Sequence, residues 1–128
     1  MIYVDSSVAL SQLMFESRSP PEALWEQPLV SSRLLSYEVW NRIHAYGLTA
    51  TRSDDAHALL ALVNLVDLSE PALTRALQPF PVRIRTLDDL HLATIEFLRR
   101  QGETVELASY DNRLVAAAEA IGIPIAPL

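Results

Sequence analysis

The opening stretch, MIYVDSS, limits the fold more than any other part of this chain. Ile2, Tyr3 and Val4 form a short apolar run of β-branched and aromatic character, which reads as a buried strand. Asp5 ends it, and Ser6-Ser7 lead straight into an amphipathic run from Val8 to Phe15. In an α/β chain, a carboxylate at the carboxyl end of the first strand stands where such sheets place their chemistry. Asp5 or Ser6 could equally cap the helix that follows. Asp5 therefore gains weight only if other acids can be brought beside it.

The same alternation continues along the chain. Ser19-Pro20-Pro21 breaks the pattern ahead of a short helix through Trp25, which Pro28 closes, and Leu29-Val30 is a brief strand. Leu34 to Gly47 is a helix, with Leu35, Val39, Ile43 and Tyr46 at helical spacing and Gly47 as its stop. Ser53-Asp54-Asp55 opens a further helix as cap and acidic first turn, its run spans Ala56 to Asn64, and Leu65 to Leu68 is a strand. Ser69-Glu70-Pro71 starts another helix, with Pro where its missing N–H is harmless. Pro79 and Pro81 bracket a loop that carries Arg83 and Arg85. Thr86-Leu87-Asp88-Asp89 fits a capping box for a helix that runs to about Gln101, with Gly102 as stop. Val105 to Ser109 is a strand, Asn112 to Ile121 an alanine-rich helix, and Ile123 to Ala126 a last short strand. Pro124 puts that last strand at an edge. Strands alternating with helices predict an α/β fold: a short, mainly parallel sheet flanked by helices on both faces.

At 128 residues the chain reads as one domain, 1–128, large enough for a real core. No apolar run reaches the ~18 residues of a membrane span, and no basic region precedes the first apolar residues, which argues against a cleaved signal. With zero Cys, disulfides and thiolate metal sites are excluded. A cytoplasmic protein without membrane contact is the simplest expectation. The net charge of −6 is awkward for a nucleic-acid-handling protein. Metal-binding carboxylates would supply part of it, and all ten cationic residues are Arg, whose planar fork suits phosphate, although compositional bias in the source genome explains that usage equally well.

Four acids occupy positions that a three-layer fold could bring together. Asp5 and Asp111 each follow a strand and so share the carboxyl edge of a parallel sheet, although Asp111 reads equally well as a helix cap. At ~100° per residue, Asp88 lines up with Leu92 and Ile95, whereas Asp89 shares a face with Glu96 and Arg100. Asp88 is thus the inward acid, which needs a partner such as a metal ion, and Asp89 the capping-box acid. His91, one turn on, is better read as a structural hydrogen-bond donor than as a ligand. Glu38 flanks the apolar stripe of its helix, and taken singly it reads as half of an exposed ion pair with Arg42. An oxygen-only cluster suits a hard cation such as Mg²⁺ or Mn²⁺, which can hold a phosphodiester and acidify a water.

With these residues in view, the chain resembles PIN-domain ribonucleases, most closely the VapC toxins of bacterial toxin–antitoxin pairs. The resemblance runs end to end: MIYVDSSVAL to the family's opening strand and first acid, LLSYEVWNRI to the helix with the second, and LASYDNRLVAAAEAIGI to the closing Thr-x-Asp segment. RTLDDLHLATIEFL is the most specific piece, similar to the family's Arg-x-Leu-Asp-Ala-Leu-His-Leu-Ala-Thr segment. The resemblance implies a PIN-like fold and catalytic acids at Asp5, Glu38, Asp88 and Asp111. It implies a metal site of Asp5, Asp88 and Asp111, with Ser6 and Ser109 in support. It also implies Mg²⁺- or Mn²⁺-dependent RNA hydrolysis, a homodimer and a cognate VapB-like antitoxin. Asp89 departs from the family's usual small residue, and Ser109 from its usual Thr.

Other α/β folds with an early aspartate demand features that this chain lacks. Phosphoacceptor receivers and P-loop NTPases need a Lys, a haloacid-dehalogenase-like phosphatase needs a second Asp at the place of Ser7, and a dinucleotide-binding domain needs a glycine-rich first turn. Two alternatives stay open: an RNA-processing PIN nuclease without an antitoxin, and a catalytically silent RNA- or protein-binding module.

Overall fold

In the computed structural model, which describes residues 1–14 and 18–128, four parallel strands and six α-helices alternate. Phe15, at the end of the first amphipathic run, lies outside the described residues. The strands are β1 (Ile2–Val4), β2 (Leu29–Ser32), β3 (Val63–Val66) and β4 (Glu106–Ala108), in the spatial order β3-β2-β1-β4. Between them run α1 (Ser6–Leu13), a 3-10 turn (Glu22–Glu26), α2 (Leu34–Ala45), α3 (Thr49–Ala61), α4 (Glu70–Ala76) and α5 (Thr86–Arg100), and α6 (Asn112–Ala120) follows β4. No helix among the described residues is long and apolar enough to cross a membrane.

The two-residue period of β1 divides the core into two layers. Ile2 and Val4 point to one face, where they join Val8, Leu13, Leu35, Val39, Ile43 and Leu59 from α1, α2 and α3. Tyr3 points to the other, among Leu92 and Ile95 of α5 and Leu114 and Ala118 of α6. Both faces are thus covered, as a parallel sheet requires.

Several elements differ from their sequence expectation. Helix α3 begins at Thr49 rather than at Ser53 and has no side-chain cap. The Ser53 hydroxyl instead bonds back to the Thr49 carbonyl, one turn inside the helix. β3 lies two residues earlier than the apolar run suggests, because its register is set by β2, which pairs Leu29 with Val63 and Ser32 with Val66. The predicted last strand is reduced to one parallel bridge between Ile125 and Leu107, outside β4 and so at an edge as expected. Tyr46, placed on the buried stripe of α2, is 60% exposed, with Arg42 over its ring.

The capping box at Thr86 does not form. Arg85 occupies the N-cap without a side-chain capping hydrogen bond, so neither Asp88 nor Asp89 completes a capping box with Thr86. Nor is the outer face of α5 a purely solvated stripe, because Glu96 is largely buried against Arg75 of α4 at 2.9 Å, with Arg100 at 3.3 Å. By contrast, the Ser69 hydroxyl does cap α4, accepting from the Ala72 amide at 3.2 Å. Ser69→Ala should therefore cost about 1 kcal/mol in urea unfolding, while Thr86→Ala should cost only a few tenths.

Candidate active site

The register of β1 on β4 determines the geometry of the sheet's carboxyl edge. Val4 pairs with Ala108, and the Asp5 amide donates to the Ala108 carbonyl at 3.0 Å. The next residues of each strand therefore meet: Ser109 Oγ donates to Asp5 Oδ2 at 2.9 Å. Ser7 Oγ reaches the same oxygen at 2.6 Å and its amide at 3.3 Å, the latter making Asp5 the N-cap of α1. Asp111 caps α6 in the same manner, its Oδ1 accepting from the Arg113 and Leu114 amides at 2.9 and 3.3 Å. For both acids, capping and a place in the site prove compatible.

Asp88 enters from the first turn of α5, and Glu38 from α2. All four acids line one cleft of about 580 Å³, together with Ser6, Ser7, Tyr110 and the arginines Arg18, Arg42 and Arg85. Glu38 does not act as a simple surface partner of Arg42: its Oε1 faces His91 Nε2 at 2.6 Å and its Oε2 accepts from Ser6 Oγ at 3.1 Å. His91 is buried, and its Nδ1 lies 2.6 Å from the Tyr3 hydroxyl. It serves as the structural hydrogen-bonding group that the sequence suggested, with Glu38 at its outer end. Ser6 and Ser109 both take supporting positions. Ser7, the more heavily used serine, was missed by sequence reasoning; its place two residues beyond a capping Asp was the available signal. The cleft arginines and Tyr110 were not singled out for the site either, since nothing local marks them.

The electrostatics single out Asp88. Burial, then the Asp111 and Asp5 carboxylates, raise its pKa from 3.8 to about 6, against the opposing pull of His91 and Arg85. Asp89 is raised too, chiefly by burial. Burial works against a charge on His91, but Tyr3 and Glu38 outweigh it and raise its pKa to about 10. Among the described residues, no three His, Asp or Glu side chains stand close enough to form a ready-made metal group. The donor chemistry nonetheless suits a hard cation. Asp88 Oδ2 is buried without a hydrogen-bond partner among the described residues. Among the described residues, the hydrogen bonds to the Asp5 side chain engage only Oδ2, and those to the Asp111 side chain only Oδ1.

No family model matches the chain. Ribonuclease VapC46 of Mycobacterium tuberculosis (strain ATCC 25618 / H37Rv) is 30% identical over 127 residues, covering 97% of this chain and 95% of the relative. Ribonuclease VapC35 of the same species is 32% identical over 133 residues, covering 98% and 95%. The chain belongs to the VapC ribonuclease family. A third relative, ribonuclease VapC47 of Mycobacterium tuberculosis (strain CDC 1551 / Oshkosh), is 26% identical over 95% of this VapC-family chain and 93% of its own length. A solved toxin–antitoxin complex from Klebsiella pneumoniae shares the fold, with a TM-score of 0.68 over 94% of each chain at 19% identity. The three-layer architecture is accordingly PIN-like.

Asp88 gives this VapC-family chain a measurable pH dependence. From about pH 4 to pH 6 the folded chain keeps a proton on Asp88 that the unfolded chain has released. Stability therefore falls as pH rises through that window, and above it the whole penalty stands. The shift from 3.8 to about 6 corresponds to about 3 kcal/mol at most, and solvent screening of a half-exposed group reduces this to about 1–2 kcal/mol. Asp88→Asn should raise the melting temperature of metal-free protein at pH 7.5 and leave it nearly unchanged at pH 4. Equal melting shifts at both pH values would show that the proton on Asp88 is not the cause.

Proposed function

We propose that this chain is a metal-dependent ribonuclease that hydrolyses RNA phosphodiester bonds and acts as the toxin of a VapBC-type pair. The observation that carries the reading is the convergence of Asp5, Glu38, Asp88 and Asp111 on one arginine-lined cleft. The relatives named as VapC ribonucleases support it. Asp5, Asp88 and Asp111 would hold Mg²⁺ or Mn²⁺, and the bound ion would supply charge to hold a phosphodiester and acidify a water. Ser7 and Ser109 fix Asp5 through Oδ2, which keeps that carboxylate aimed at the cleft. Glu38, held by Ser6 and His91, stands beside it to orient a water or take its proton. Arg18, Arg42 and Arg85 offer planar forks to RNA phosphates. They answer locally the repulsion that a net charge of −6 would exert on a polyanion.

The partner belongs to the same reading, supported by the toxin–antitoxin complex that shares the fold. Leu13 and Leu24, in and after α1, are core residues. Trp25 and Leu62 line a separate cavity of about 420 Å³ with Gln12, Leu13 and Leu59, and the buried Trp25 Nε1 has no hydrogen-bond partner among the described residues. An antitoxin segment would anchor an apolar side chain there and direct a cation at the carboxylates, where exclusion of water strengthens the pair. A homodimer and a cytoplasmic location complete the proposal.

RNA cleavage with and without divalent metal tests the activity. Asp5→Asn, which can still cap α1, should abolish cleavage while the protein remains folded; full activity in that variant would refute the mechanism. Asp88→Ala should remove activity. Asp89→Ala, with no cap bond to lose, should retain most activity and alter stability by only a few tenths of a kcal/mol. Equal activity losses in the two would overturn the assignment of Asp88 to the site. For the partner, neutralising the antitoxin's inserted basic residue should restore cleavage while much of the binding persists. Continued inhibition by an intact complex would favour plain steric blocking.

A further inference from the structure

Glu38 has the longest side chain of the four acids. Asp5 and Asp111 are fixed as helix caps, and Asp88 sits on a short side chain in the first turn of α5. Glu38 projects from the second turn of α2 on a longer chain with more rotatable bonds, whose freedom must be suppressed for it to act. The structure suppresses it from behind. His91 Nε2 meets Oε1 at 2.6 Å, and the imidazole is fully buried. Its Nδ1 lies 2.6 Å from the Tyr3 hydroxyl, with the two rings edge to face at 5.6 Å. The Tyr3 hydroxyl in turn accepts from the Ser32 amide at 3.2 Å, at the end of β2. A continuous chain of hydrogen bonds thus links the sheet backbone to the cleft.

We propose that His91, oriented by Tyr3, is the positioning residue for Glu38. It makes one helix responsible for two acids: α5 presents Asp88 directly and, one turn later, fixes Glu38 through the imidazole. The spacing between Asp88 and Glu38 is then set by a rigid element rather than by the flexibility of a glutamate. This assignment rests on the ribonuclease reading of the cleft.

Two measurements test it, one of them independent of activity. In the wild-type protein, the His91 ring N–H should give a downfield, slowly exchanging NMR signal that shifts or disappears in Glu38→Ala. An unchanged signal would overturn the proposal even if the protein cleaves no RNA, a result that would separately refute the proposed function. With activity present, His91→Leu should lower kcat about 10- to 100-fold with little change in KM. His91→Gln, whose amide can donate near the position of Nε2, should recover much of the loss. The double variant Glu38→Ala/His91→Leu should be no slower than Glu38→Ala alone. Multiplicative losses, or equal losses in His91→Leu and His91→Gln, would show that His91 only supports the fold. Should His91→Leu fail to fold, Tyr3→Phe takes its place: a kcat loss that vanishes in the Glu38→Ala background supports the relay, and an unchanged kcat overturns it.

Discussion

The site depends on the parallel pairing of β1 with β4. That ladder aligns Val4 with Ala108 and sends Asp5 and Ser109 out of the sheet side by side. The strands are three residues each, so there is little redundancy in the pairing. A slip by one residue would turn Tyr3 from the α5 side to the α1 side and carry Asp5 away from Ser109. The alternation of Ile2, Tyr3 and Val4 between two apolar layers is what prevents it. Packing on both faces thus fixes the position of a carboxylate that lies one residue beyond the strand.

Much of this was legible in the sequence wherever cause and effect lie close along the chain. Apolar runs located the strands, and the stripe Leu35, Val39 and Ile43 located α2. The helical face of Asp88 separated it from Asp89. Elements whose limits come from a neighbour were less legible: β3 takes its register from β2, and the final strand shrinks to whatever Leu107 can pair with. The capping-box pattern at Thr86 was present in the letters but unused, because the helix begins at an uncapped Arg85.

The site divides along the same line. Asp5, Asp88 and Asp111 follow from topology and face, so their convergence could be inferred. The tie of Glu38 to His91 spans 53 residues, and that of His91 to Tyr3 spans 88. No periodicity encodes such contacts, and a solvent-facing ion pair with Arg42 was the natural local reading for Glu38. Ser7 was hidden for a related reason, since its hydroxyl serves both the Asp5 carboxylate beside it and the Tyr110 amide across the sheet edge.

The double role of two of these acids affects how such a chain can decay. Asp5 and Asp111 cap helices, so a lineage released from selection for catalysis would still be selected for a capping side chain, Asp among them, at both positions. Asp88 has no such second role: it caps nothing and carries an elevated pKa because its surroundings disfavour its charge. It is the acid whose loss the fold would reward. Retention of the two capping aspartates is therefore weak testimony to a working enzyme, whereas retention of Asp88 against the preference of the fold is the mark of a chain still selected for its chemistry.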